Sequence, residues 1–181
     1  MSARALVVGD GPLAAATATE LTRNGFAIAS SNEAAAGPLQ VLVVTSSGAS
    51  DVLDIVRRHQ EGLASTGLGR VVLVGSRDWL GWPGRVDGAA ASAELVGLTR
   101  SLALELGPQG ITVNLVCPPG PSTDAPKEDP WAAPPPPLTG PIGDDDVAFA
   151  IAFAADERSG YFTGQVLHVS GGLSVLSSLT A

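Results

Sequence analysis

Leu95-Val96-Gly97-Leu98-Thr99-Arg100-Ser101-Leu102-Ala103-Leu104-Glu105-Leu106-Gly107-Pro108-Gln109-Gly110-Ile111-Thr112-Val113-Asn114 is the stretch on which the fold turns. Leu95, Leu98, Leu102 and Leu106 recur at spacings of three or four, the period of one helix face. Residues 88–106 therefore read as a long helix, alanine-rich at its start. The apolar run 111–116 reads as a buried strand just beyond it.

Outward from that core the same alternation continues. Residues 5–8 are a short apolar run ending in glycine, and Pro12 stands where a helix can begin, since proline is tolerated at the first helical position. A helix is expected over 13–23, stopped by Asn24-Gly25. Further strands are expected at 26–29, 41–44, 71–74 and 165–169, and further helices at 51–63 and 146–155. Strand alternating with helix predicts an α/β fold, a doubly wound Rossmann-like parallel sheet of about six strands with helices on both faces. At 181 residues, 1–181 reads as a single domain. The span 30–40 is short for a full crossover, whose connection alone takes at least about 10–12 residues.

The quoted stretch resembles the central helix and following strand of the short-chain dehydrogenase/reductase family. Tyr161-Phe162-Thr163-Gly164-Gln165-Val166-Leu167-His168-Val169-Ser170-Gly171-Gly172 resembles that family's last strand and glycine pair. The resemblance is closest over 71–123 and 153–172 and poor over 30–63. It implies that one strand–helix unit is deleted between 30 and 40, beside the adenosine half of the cofactor cleft. It also implies a substrate loop over 118–143, where Pro134-Pro135-Pro136-Pro137 is a polyproline-prone tract.

In this family an Asn–Ser–Tyr–Lys tetrad carries the proton chemistry, and a YxxxK motif opens the central helix. The matching positions here are Gly88 and Ser92. The chain has one tyrosine, Tyr161, and one lysine, Lys127, which are not in that spacing. Asparagine occurs at 24, 32 and 114, so the 51–63 helix supplies none. Ser76 alone matches the tetrad. A serine hydroxyl can hydrogen-bond a carbonyl but does not by itself donate a proton at neutral pH. Tyr161 matches a structural position and is expected to pack.

Gly9-Asp10-Gly11-Pro12-Leu13-Ala14 matches G-x-G-x-x-[GA] between a strand and a helix. Gly9, Gly11 and Ala14 are therefore candidate cofactor-binding residues, because such a turn lets backbone N–H groups reach a pyrophosphate. The family's own pattern is one residue longer, and Asp10 puts a carboxylate near the phosphates. Ser30-Ser31 ends the second strand where an acid should grip the ribose, and Glu33 comes late. Thr45-Ser46-Ser47-Gly48 keeps only the glycine of a further family motif.

At the carboxyl end of the 71–74 strand, Ser76, Arg77 and Asp78 are candidate catalytic residues, together with Asp87. Asp78 or Asp87 could serve as a general base if partly buried, and Arg77 could stabilise an enolate or carboxylate. The alternative for each is a solvated loop charge. Trp79, Trp82, Thr123 and Trp131 are candidate pocket residues. Thr123 lies in a stretch resembling the family's nicotinamide-contacting threonine motif. Cys117 reads as a small buried hydrophobe. His59 is expected on the exposed side of its helix, and the two histidines show no metal-ligand spacing, so no metal is expected.

The net charge is −8, with Asp144-Asp145-Asp146 read as a helix N-terminus. Nothing basic stands ready to neutralise phosphates, so neither nucleic acid nor a membrane surface is expected as partner. One cysteine excludes an internal disulfide and fits a reducing cytoplasm. The start of the chain reads as a first strand and not a leader, and no apolar run reaches the roughly 18 residues that span a bilayer.

Three functions follow, in order of preference. The first is a non-redox, cofactor-independent enzyme that dehydrates, isomerises or cyclises a small apolar carbonyl compound, as in natural-product biosynthesis. The second is a non-catalytic subunit paired with an active relative. The third is an NAD(P)H-dependent reductase using unorthodox groups, which alone would need NAD(P). An oligomer, homomeric or with an active relative, is expected through the helices 51–63 and 88–106.

Overall fold

The computed structural model describes residues 3–35, 37–45, 48–81, 84–119 and 137–175. Six strands form one parallel sheet: β1 (Arg4–Val8), β2 (Ala27–Ile28), β3 (Val41–Val44), β4 (Gly69–Val74), β5 (Ile111–Cys117) and β6 (Val166–His168). Their spatial order is β2-β1-β3-β4-β5-β6. The helices are α1 (Gly11–Arg23), α2 (Ser31–Ala35), α3 (Ala49–Ala64), α4 (Val86–Leu106) and α5 (Asp144–Ala155). This is the expected single-domain Rossmann-like architecture.

The sheet is buried on both faces, β3, β4 and β5 being mainly Val, Leu and Ile. Every residue of these three strands is buried. One core layer joins Leu6, Leu42, Val71, Leu73, Val113 and Leu115 to Val52, Val56 and Leu63 of α3 and Leu95, Leu102 and Leu106 of α4. The other joins Val41, Val43, Val72, Val74 and Val116 to Leu21 of α1 and to Val147 and Ile151 of α5. Leu95, Leu102 and Leu106 of the quoted stretch thus face the chain's own sheet, with Leu98 at the margin, while Leu104 points outward, 81% exposed.

The span 30–40 holds more than the sequence suggests. A single turn of helix, α2, fits between β2 and β3. It is started by a capping box: Ser30 N–H and Oγ–H both donate to Glu33 Oε2, at 2.8 and 2.7 Å, and Glu33 N–H returns to Ser30 Oγ at 3.4 Å. Arg4 then ties the following segment down, its Nε donating to Pro38 O at 2.8 Å and Nη1 to Glu33 O at 3.3 Å. β2, two residues long and exposed, is left as the sheet edge.

Two packing expectations are reversed. His59 is 4% exposed, not on the outer side of α3. The reason is α2, which packs against that face of α3; the imidazole hydrogen-bonds the Ala34 backbone, and burial lowers its pKa. Tyr161 does not pack but stands fully exposed, at the surface turn beyond α5. Its neighbour Phe162 takes the inward position and meets Phe153 edge-on at 5.7 Å.

Buried polar groups fasten the last strand. Asn114 Nδ2–H donates to Phe162 O at 2.7 Å, and Gln165 N–H donates to Asn114 Oδ1 at 3.1 Å. Both ends of one buried amide are thereby satisfied. Arg70, 3% exposed, reaches across from β4 to the carbonyls of Asp156 and Glu157 past the end of α5. The Asp144-Asp145-Asp146 run begins α5 as expected, with Gly143 N–H donating to Asp146 Oδ2 at 2.9 Å.

Candidate functional site

The carboxyl ends of the strands form one rim, and the chain changes direction between β1 and β3, so the crevice of this sheet lies there. The turn Gly9-Asp10-Gly11 sits at that point. Gly9 and Gly11 have φ of 136° and 81°, conformations that side chains resist, and a Cβ at Gly11 would meet nothing. Pro12 follows inside the first turn of α1. Ala14, one turn on, is buried. The turn has the backbone shape a pyrophosphate needs.

The rest of a dinucleotide seat is incomplete. Asp10, exposed at the start of α1, caps no N–H and holds a carboxylate where phosphates would come. Glu33 is the acid nearest to a ribose grip, and its carboxylate is taken up by Ser30. These hydrogen bonds, and the charge of Arg4 behind them, lower the Glu33 pKa. The backbone of the turn fits a pyrophosphate, whereas the Asp10 carboxylate opposes it and no free acid among the described residues is placed for the ribose.

Along the rim, β4 leads through Ser76 into one turn of 3₁₀ helix, Arg77–Leu80. Ser76 is its N-cap: Asp78 N–H donates to Ser76 Oγ at 3.1 Å. Arg77 N–H donates to Pro118 O at 3.0 Å, which ties the turn to the end of β5. Arg77 and Asp78 are each 7% exposed, so neither is the solvated loop charge weighed above. The turn folds back on the start of α4, and α4 offers Gly88 there. A Cβ at Gly88 would lie 3.1 Å from Asp78 Oδ2. Arg85 Nη1 sits 3.5 Å from the same oxygen. An ion pair thus fills the ground where a side chain at position 88 would start, and Ser92, one turn on, is buried. Burial lowers the Arg77 pKa, partly offset by Asp78.

Trp79 is brought into this group and its indole N–H donates to His168 Nε2 at 3.1 Å, the rings stacked 5.7 Å apart at 15°. His168 was not singled out by the sequence. The only available sign was its place at the end of a strand, in register with Cys117. Cys117 is fully buried, and burial pushes its thiol up to about 12, so it is no nucleophile. Asp87 is not brought in; it is exposed in the first turn of α4, where it favours the helix dipole. Trp82, Thr123 and Trp131 lie outside the described residues, as does most of the 118–143 loop. Among the described residues, no group of three His, Cys, Asp or Glu could hold a metal ion. No described helix is long and apolar enough to cross a membrane.

Comparison with known proteins bears directly on this rim. The family model for enoyl-(acyl carrier protein) reductase matches residues 39–174. The (2S)-[(R)-hydroxy(phenyl)methyl]succinyl-CoA dehydrogenase subunit BbsD of Thauera aromatica is 44% identical over 114 residues, 60% of this chain and 46% of the relative. The 3-oxoacyl-[acyl-carrier-protein] reductase FabG of Vibrio cholerae is 36% identical over 121 residues, 64% of this chain and 50% of the relative. The chain spans about half the length of the curated relatives it matches. The crystal structure of acetoin dehydrogenase YohF from Salmonella typhimurium superposes with a TM-score of 0.78 at 22% identity, covering 100% of each chain, which speaks for the fold. These findings overturn the preferred reading of the sequence. The relatives are named as dehydrogenases and reductases, so a cofactor-independent dehydratase, isomerase or cyclase of natural-product biosynthesis has no support among them.

Proposed function

The chain belongs to the short-chain dehydrogenase/reductase family, and we propose that it serves NAD(P)H-dependent oxidoreduction as one subunit of an assembly. In this reading a partner chain of the same family supplies the tyrosine and lysine of the proton relay and the complete dinucleotide seat. The observation that carries it is the start of α4, where Gly88 and Ser92 stand and the Asp78 carboxylate, paired with Arg85, lies against Gly88. The relative named as a dehydrogenase subunit supports it. The outer faces of α3 and α4 are where the partner would dock. Asp51, Asp54, Arg57, Arg58 and Glu61 line the exposed side of α3, and Ala90, Ala93, Gly97 and Ser101 give α4 a side where another helix can approach closely. The reactive species would be a nicotinamide dinucleotide and a carbonyl or alcohol.

The residues of this chain then act as a scaffold. Ser76 holds the 3₁₀ turn, Asp78 pins it to α4, and Trp79 closes it against β6. The test is reconstitution. The chain alone, and mixed with a family member carrying an intact YxxxK motif from the same source, is assayed by nicotinamide absorbance. Activity that requires both chains, with co-elution as one complex, is the expected result. Full turnover by the isolated chain would instead establish the second reading, a self-sufficient NAD(P)H reductase with unorthodox groups. The preserved geometry of Gly9 and Gly11 favours that second reading, and a calorimetric titration of the isolated chain with NADH and NADPH separates the two.

A further inference from the structure

We propose that Trp79 and His168 form a proton-operated latch, which fastens the 3₁₀ turn Arg77–Leu80 to β6 over the end of β5. The inference is independent of which chain supplies the relay. Besides the Asp78–Arg85 pair that pins it to α4, the turn is fastened at both ends. At its start, Ser76 caps Asp78 N–H and Arg77 N–H bonds Pro118 O, neither of which changes charge with pH. At its far end the hydrogen bond runs from the Trp79 indole N–H to His168 Nε2 at 3.1 Å. An indole N–H only donates, so Nε2 must accept, and the imidazole must be neutral with its proton on Nδ1. A second proton turns the acceptor into a donor. The bond is then lost, and two N–H groups confront one another across stacked rings.

The surroundings favour release once the proton arrives. Arg77 is the charged group whose field reaches the imidazole, and Asp78 and Arg85 stand beyond it, paired with each other. On β5, the neutral Cys117 thiol stands in register with His168 and within hydrogen-bonding reach of the Trp79 indole, a weak acceptor beside the imidazole. Among the described residues no carboxylate faces His168 to compensate an imidazolium. Burial and the charge of Arg77 accordingly lower the His168 pKa. The latch therefore holds at neutral pH and opens on acidification, freeing Trp79 from β6 while the start of the turn stays tied.

Trp79 reports on its own release. In the full chain carrying Trp82→Phe and Trp131→Phe it is the sole indole. Its emission, followed from about pH 8 to about pH 5, should shift to the red in a single-proton step with a midpoint below 6.5, and His168→Phe should abolish that step. In the otherwise unaltered chain, the His168 imidazole proton resonance should titrate at the same midpoint. Trp79→Phe should move that midpoint up toward 6.5, because the acceptor bond no longer favours the neutral ring. A flat emission profile, a step that persists in His168→Phe, or a His168 midpoint unmoved by Trp79→Phe would overturn the latch.

Discussion

Gly88 and Asp78 show how one missing side chain can be absorbed by its neighbours. With no Cβ on α4 at this point, the Asp78 carboxylate comes down onto the helix and meets Arg85. Asp78→Ala should cost about 2 kcal/mol in chemical denaturation, since it leaves Arg85 and the buried Arg77 beside an unfilled hole. Asn114→Ala should cost more, about 3 kcal/mol by the same measurement, because it strands the Phe162 carbonyl and the Gln165 N–H that the one amide satisfies. Ser76 and Asp78 were legible in the sequence, as polar groups just past an apolar strand. Their role was not, because burial of a loop charge depends on what folds over it. His168 was illegible for the same reason: its partner lies in another element, 89 residues away.

The capping box at α2 makes the corresponding point for elements. Ser30-x-x-Glu33 is written in the sequence, yet an acid after a second strand also suits a ribose, and only the backbone decides between a cap and a ligand. Glu33→Gln should weaken this one-turn helix and speed hydrogen exchange of the Ala34 amide, which bonds Ser30 O at 2.9 Å. The folded state lowers the Glu33 pKa, so its contribution is present above the ordinary carboxylate value of 4.5 and is lost as pH falls through the folded value. An unchanged Ala34 exchange rate in the variant would show that Arg4 alone holds the segment. The long elements were plain from their periods. The apolar runs at 41–44, 71–74 and 111–116 and the leucines of α4 leave few alternatives. α2 escaped because a single turn has too few residues to show a period.

For the molecule as a whole, both histidines are held with pKa values below the ordinary 6.5. A base whose pKa is lowered on folding takes up its proton more readily when unfolded. Stability should therefore be intact above about pH 6.5 and decline as the pH falls from there toward the folded values. Thermal melts from neutral to mildly acid pH check this, and His59→Leu with His168→Phe should flatten the decline. What the whole sequence could not show was which reaction its fold serves, because a scaffold carries many chemistries and the deciding residues here are ones that are not present. The sheet's outermost strand has a consequence of its own. β2 offers two residues of ladder at the rim, and a strand arriving from another molecule needs a longer run of free amides and carbonyls to hold on. So short an edge leaves little on this side of the sheet on which a fibril could be seeded.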